Sequence, residues 1–132
     1  MSVIVDTSVW SLVLRRHSPP DSSQAEKLRA LLRRGQPVVL VGVIVQELLQ
    51  GIRSAADFQS VKDHLDAFEM LVLDREDYVA AAELRNQCAS NGVQASTIDF
   101  QIAAACLRHD HLLLTADEDF EHIARCCALQ LL

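Results

Sequence analysis

The 132-residue sequence predicts an α/β fold, a small parallel β-sheet flanked by helices on both faces. Three observations predict it. Short runs such as "VIV", "PVVLV" and "HLLLT" are apolar throughout rather than alternating, as strands covered on both faces must be. These runs alternate with longer segments of helical periodicity, and strands joined by helices pair in parallel through right-handed crossovers. Half of the residues are hydrophobic but only six are aromatic, which suits many helices packed on a small covered sheet. A chain of this length is expected to form one domain, residues 1–132, burying about two thirds of its unfolded surface without a disulfide or structural metal.

The elements follow in order. Val3, Ile4 and Val5 predict a strand over 2–6, and the apolar pattern that begins at once predicts a helix over 8–15. "HSPPDSS" reads as a loop, and "SSQAEKLRALLRR" as a helix over 22–34 closed by Gly35 in the helix-stopping position. A strand over 37–41 then leads to helices over 43–52 and 55–68. "MLVL" predicts a strand over 70–73, followed by a long helix over 75–91 that Gly92 stops. A helix over 97–109, a strand over 111–115, a helix over 117–126 and a last strand over 128–132 complete the reading. The sequence contains no internal repeat, low-complexity tract or linker.

Composition narrows the function classes. Cys88, Cys106, Cys126 and Cys127 fit neither a disulfide framework nor a CxxC zinc site, and read as reduced, buried thiols in a cytoplasmic protein. The longest apolar run, "VVLVGVIV", has eight residues, so neither a signal peptide nor a membrane span is expected. Twelve basic against eighteen acidic residues give a net charge of −6, which at first argues against a polyanionic partner. Four acids gathered around cations would leave −2, so the balance neither proves nor excludes nucleic acid. Ten of the twelve basic residues are Arg, the better phosphate fork, and Arg15, Arg16 and Arg53 fall near the expected ligand edge.

That edge is where the acids gather. Asp6 ends the first strand, and Asp117 follows "HLLLT" by one residue. Both therefore fall beyond the carboxyl ends of parallel strands, where such sheets bind ligands. Glu47 lies early in the helix after "PVVLV", and Asp99 in the first turn of "STIDFQIAAACL". Each has a structural reading as well. Asp6 suits an N-cap, and Asp99 stands three residues after Ser96 at capping-box spacing. Asp117 and Glu118 suit the positive end of a helix dipole, and Glu47 a narrow polar stripe with Gln46 and Gln50. Four carboxylates brought together repel by roughly 1 to 4 kcal/mol per close pair, and a fold tolerates that only with cations between them. Oxygen ligands without paired His or Cys select Mg²⁺ or Mn²⁺ over zinc. The chemistry that follows is metal-assisted phosphodiester hydrolysis.

Four stretches carry a family resemblance: "VIVDTSVW", "VIVQELLQGI" with Glu47, "STIDFQIAAACL" with Asp99, and "LLLTADEDF" with Thr115, Asp117 and Asp119. In this order and spacing the chain resembles a PIN-domain ribonuclease, specifically a VapC-type toxin of a bacterial toxin–antitoxin pair. The resemblance implies a three-layer PIN-like domain and an Mg²⁺- or Mn²⁺-dependent endoribonuclease acting on RNA. It makes Asp6, Glu47, Asp99 and Asp117 the acidic quartet that holds the metal, with Asp6 and Asp99 the leading ligands, Asp119 an additional one, Glu47 or Asp117 the acid left to orient a water or take its proton, and Thr7 and Thr115 supporting hydroxyls. It also implies a homodimer and a small antitoxin partner lying over the active site, in a groove walled by the helices around 22–34 and 43–53.

Two rival functions remain open from the residues alone. Asp6 would serve as nucleophile in an aspartyl-phosphate phosphatase, but the second acid such enzymes place two residues on is here Ser8. A catalytically inactive, partner-binding α/β module is the non-enzymatic reading. His109 and His111, which flank Asp110 in "RHDHLLL", fall on one side of a turn expected to be solvated.

Overall fold

The computed structural model describes residues 1–14 and 22–132, and its elements alternate in the expected order. Strand β1 (Val3–Val5) leads through helices α1 (Thr7–Leu14) and α2 (Ser23–Arg33) to β2 (Val38–Val41). Helices α3 (Gly42–Leu49) and α4 (Ala55–Leu65) lead on to β3 (Glu69–Leu71). Helices α5 (Arg75–Ser90) and α6 (Thr97–His109) then return to β4 (Leu112–Leu114), and α7 (Asp119–Ala124) follows. Arg15, Arg16, His17 and most of the loop "HSPPDSS" lie outside the described residues.

The four strands form one parallel sheet in the order β3-β2-β1-β4. Residues of β1 and β2 are buried throughout, which is why their sequences are apolar without alternation. The chain steps outward from β1 to β2 to β3, then crosses back to place β4 on the other side of β1. Right-handed crossovers put α1 to α4 on one face and α5 and α6 on the other. The packing agrees: α1 meets α2 and α3, and α3 meets α4, while α5 packs on α6 and α6 on α7. The strand order therefore reverses between β1 and β4, and a crevice opens beyond their carboxyl ends.

Local chemistry sets the element ends. Ser22 Oγ accepts the Ala25 N–H at 3.2 Å to start α2, whose Ala25, Leu28 and Leu31 are buried on one stripe. Gly35, at φ 68°, stops it as expected. Helix α3 ends at Leu49 rather than reaching residue 52: Gln50 turns extended at ψ 138°, and Gly51 follows at φ 87°, which a helix cannot continue through. The third strand stops at Leu71, and Val72 is 81% exposed rather than paired. The last strand shrinks to one parallel bridge between Leu131 and Leu113, held by Leu113 N–H to Gln130 O at 3.0 Å and Leu132 N–H to Leu113 O at 2.8 Å. Cys88 and Cys106 are buried free thiols, and burial pushes them up to about 11 and about 12. Cys126 and Cys127 are half-buried. No helix among the described residues is long and apolar enough to cross a membrane.

The turn at His109, Asp110 and His111 differs from the solvated turn expected. Asp77, only 2% exposed in the first turn of α5, takes the guanidinium of Arg108 at 2.6 Å and His109 Nε2 at 2.8 Å on one oxygen. Its other oxygen accepts the Asp74 N–H at 2.9 Å. The His109 and His111 rings stack at 6.5 Å, and burial, together with the nearby His109, pushes His111 below its ordinary value. Burial alone would push Asp77 up, but the Asp74 N–H, His109 and Arg108 outweigh it and hold the carboxyl at about 2. A depressed carboxyl stabilises the fold above its ordinary titration and loses that contribution as pH falls from about 4 towards 2. Asp77→Asn is therefore expected to cost about 2 kcal/mol at pH 7. In urea unfolding the gap from wild type should close as the pH approaches 2; a gap independent of pH would contradict this account.

Candidate metal centre

Asp6 continues the β1 ladder one residue past the strand, its N–H donating to Leu114 O at 2.9 Å. Its carbonyl then accepts the Val9 and Trp10 N–H groups, which begins α1 immediately. The residue is 6% exposed, and among the described residues its carboxylate caps no backbone N–H. Among the described residues its donors are hydroxyls: Ser8 Oγ at 2.7 Å and Thr115 Oγ1 at 3.1 Å, both to Oδ2. Thr115 itself is buried at the end of β4. Its Oγ1 accepts the Asp117 N–H at 3.0 Å, and Asp117 Oδ1 in turn accepts the Asp119 N–H at 2.9 Å. The loop bearing Asp117 and Asp119 is thus tied back to Asp6.

Asp99 arrives from the other face of the sheet. Ser96 and Asp99 form a complete capping box at the start of α6, with Asp99 N–H to Ser96 Oγ at 3.1 Å and Ser96 N–H to Asp99 Oδ2 at 3.2 Å. The capping reading is therefore correct, and it does not exhaust the residue. One carboxylate oxygen from each of Asp99, Asp117 and Asp119 lies within 4.8 Å of the others. Burial pushes Asp99 above its ordinary range, and the charges of Asp117 and Asp6 push it further, against the lowering effect of its hydrogen bonds to Ser96.

Glu47 and Asp6 stand outside that trio. Glu47 is half-buried on α3 and accepts the Thr7 hydroxyl at 2.9 Å, so α1 and α3 are pinned together beside the crevice. It borders a groove of about 730 Å³ formed mainly by α1, α3 and α4, with Leu14, Leu48 and Val61 among its apolar lining. Helix α2 reaches the site from another side, Gln24 Nε2 donating to Thr115 O at 2.7 Å.

The trio fits a small, hard cation. Its donors are all carboxylate oxygens, and Asp99 and Asp117 each already give one oxygen to a backbone N–H, leaving the other for a ligand. Single-oxygen donors suit an octahedral ion that keeps several waters better than a large ion that takes carboxylates in pairs. Among the described residues the ion pairs fall on Glu26, Asp66, Asp74 and Asp77, so none offsets the trio's charge. Sequence reasoning named Asp119 only as an additional ligand, and it did not find the role of Ser8. The readable signal for Ser8 was a hydroxyl two residues after a strand-end acid, which has no meaning until β4 is known to lie beside β1.

Fold and site together define an α/β protein with a carboxylate cluster able to hold a divalent ion at the switch point of a parallel sheet. The family model of the PIN domain matches residues 3–125, and the chain belongs to that family. Solved structures share the architecture. VapBC2 from Rickettsia felis, bound to a DNA fragment from its promoter, superposes with a TM-score of 0.80 at 18% identity, over 100% of this chain and 98% of that one. FitAcB from Neisseria gonorrhoeae gives 0.76 at 20% identity, over 98% and 95%. VapC20 from Mycobacterium tuberculosis, a sarcin-ricin loop cleaving toxin, gives 0.66 at 14% identity, over 90% and 92%.

Proposed function

We propose that this chain is an Mg²⁺- or Mn²⁺-dependent endoribonuclease acting as the toxin of a bacterial toxin–antitoxin pair. The observation that carries the reading is the carboxylate trio of Asp99, Asp117 and Asp119, beside buried Asp6, with no compensating Lys or Arg among the described residues. Asp6, Asp99, Asp117 and Asp119 hold the ion in this reading. A bound divalent ion supplies an activated water and stabilises the leaving oxygen of a phosphodiester. Glu47, with one oxygen held by Thr7, keeps the other to orient that water or accept its proton. Membership of the PIN family and likeness to toxin–antitoxin complexes support the assignment of RNA as substrate and of a small antitoxin as partner. A single-domain, homodimeric, cytoplasmic toxin is the form this reading takes.

The rival with Asp6 as phosphoryl acceptor is weakened by its setting. One oxygen already accepts two hydroxyls, and the residue is almost fully buried. An inactive partner-binding module would carry the repulsion of the trio with nothing gained from it. Incubation of the purified chain, free of antitoxin, with total cellular RNA is expected to give discrete cuts with Mg²⁺ or Mn²⁺ and none in excess chelator. Cleavage that survives the chelator, or intact RNA with either metal, would refute the reading, and the cut positions would identify the target.

A further inference from the structure

We propose that Ser8 is a positioning residue that sets the loop bearing Asp117 and Asp119 for metal binding; the inference rests on the trio being a divalent-metal site. A count of protons and lone pairs carries it. The Ser8 hydroxyl has one proton, given to Asp6 Oδ2 at 2.7 Å, and its oxygen accepts the Ala116 N–H at 3.0 Å. The Thr115 hydroxyl repeats the arrangement: its proton goes to the same Asp6 oxygen at 3.1 Å, and its oxygen accepts the Asp117 N–H at 3.0 Å. With both protons committed, the 3.4 Å approach of the two hydroxyl oxygens is a side-by-side contact and not a third hydrogen bond.

Asp6 Oδ2 is therefore saturated by two hydroxyls, which leaves Oδ1 as the oxygen available to a ligand. Two consecutive amides of the loop, Ala116 and Asp117, hang from those hydroxyls, and Asp117 passes the restraint to Asp119 through its Oδ1. Ser8 belongs to α1, more than a hundred residues before the loop in sequence, yet it fixes the second amide after β4. Without it, the Ala116 N–H is exposed enough to turn to water, so the fold loses little. The loop, however, loses one of the two hydroxyls that hold its amides, although Gln24 Nε2 still donates to Thr115 O at 2.7 Å, and Asp6 loses one of the two donors that orient its carboxylate. Partners that orient metal ligands typically change metal affinity by about 10- to 100-fold when removed.

The test is Mn²⁺ titration by calorimetry on the full chain, comparing wild type with Ser8→Ala and Ser8→Cys, alongside thermal melting without metal and exchange of the Ala116 amide. Ser8→Ala is expected to weaken Mn²⁺ binding by about 10- to 100-fold and to speed Ala116 exchange, with only a small shift in melting. Ser8→Cys, which fills the space with a weak donor at longer reach, should weaken binding in the same direction and keeps the test open if the alanine variant folds poorly. Wild-type affinity in both variants would overturn the role of Ser8 and leave the metal site standing. Failure of the wild type to bind Mn²⁺ would overturn the site, and the inference with it.

Discussion

Asp99→Asn is expected to raise the melting temperature of the metal-free protein and to abolish the rise that Mn²⁺ gives the wild type. The substitution keeps the capping box, because an amide oxygen still accepts the Ser96 N–H, and it keeps the side-chain volume. What it removes is one of three negative charges whose oxygens lie within 4.8 Å of one another. Where water screens these oxygens, relief of that repulsion is worth about 1 kcal/mol per pair, or about 4 °C per pair for a chain of this size. The pH dependence gives an independent check. Burial, together with the charges of Asp117 and Asp6, raises the folded-state titration of Asp99, so ionisation of Asp99 destabilises the metal-free fold. Stability on its account is full below the ordinary carboxylate range and is lost as pH rises through the raised value. The Asn variant lacks that loss. Metal reverses the balance, since it binds the ionised form. At a hundredfold excess over its dissociation constant, Mn²⁺ should stabilise the wild type by about 2.7 kcal/mol and the variant hardly at all. RNA cleavage should fall by more than about 100-fold. Equal Mn²⁺ responses in the two proteins would remove Asp99 from the site.

Much of this was legible in the sequence because strand ends and sheet edges are local features. A fully apolar run that stops at a carboxylate, as in "VIVDTSVW", marks where a buried parallel strand reaches the ligand edge. The Ser96 to Asp99 capping box could be read three residues apart, and Gly35 marked the end of α2. What could not be read depends on which strands are neighbours. The sequence does not say that β4 returns to lie beside β1, and only that adjacency brings Thr115 and Ser8 to the same oxygen of Asp6. Asp77 was missed for the same reason. In sequence it is one more acid in "REDY", and it becomes a buried anion only when α6 delivers Arg108 and His109 to it. Asp119 was named from the sequence as an additional ligand, but its place in the trio depends on a turn that folds its N–H back onto Asp117, a geometry too short in sequence to show in any periodicity.

Asp6→Asn and Asp6→Ala are expected to part company, and the difference between them measures what the carboxylate does. In the Asn variant an amide oxygen replaces Oδ2 and still accepts the hydroxyls of Ser8 and Thr115, so the link from β1 to the Asp117 loop survives. The amide nitrogen then occupies the position of Oδ1, where it offers protons and no negative charge to a cation. Such a protein should fold with a melting temperature within a few degrees of wild type. Its RNA cleavage should nonetheless fall to background, a loss of at least about 100-fold. The Ala variant removes the acceptor as well. Thr115 is buried and Ser8 is half-buried, so two hydroxyl protons lose their partner in a site that is 6% exposed at Asp6. Each unsatisfied buried donor costs about 1 to 3 kcal/mol, partly recovered where water reaches Ser8, so a net loss of about 2 to 4 kcal/mol follows. For a chain of this length that is a fall of about 8 to 15 °C in melting temperature. Asn and Ala variants equally stable and equally inactive would show that Asp6 serves the ligand alone. An active Asn variant would show that Asp6 holds the loop alone, and that the charge of the site comes from Asp99, Asp117 and Asp119.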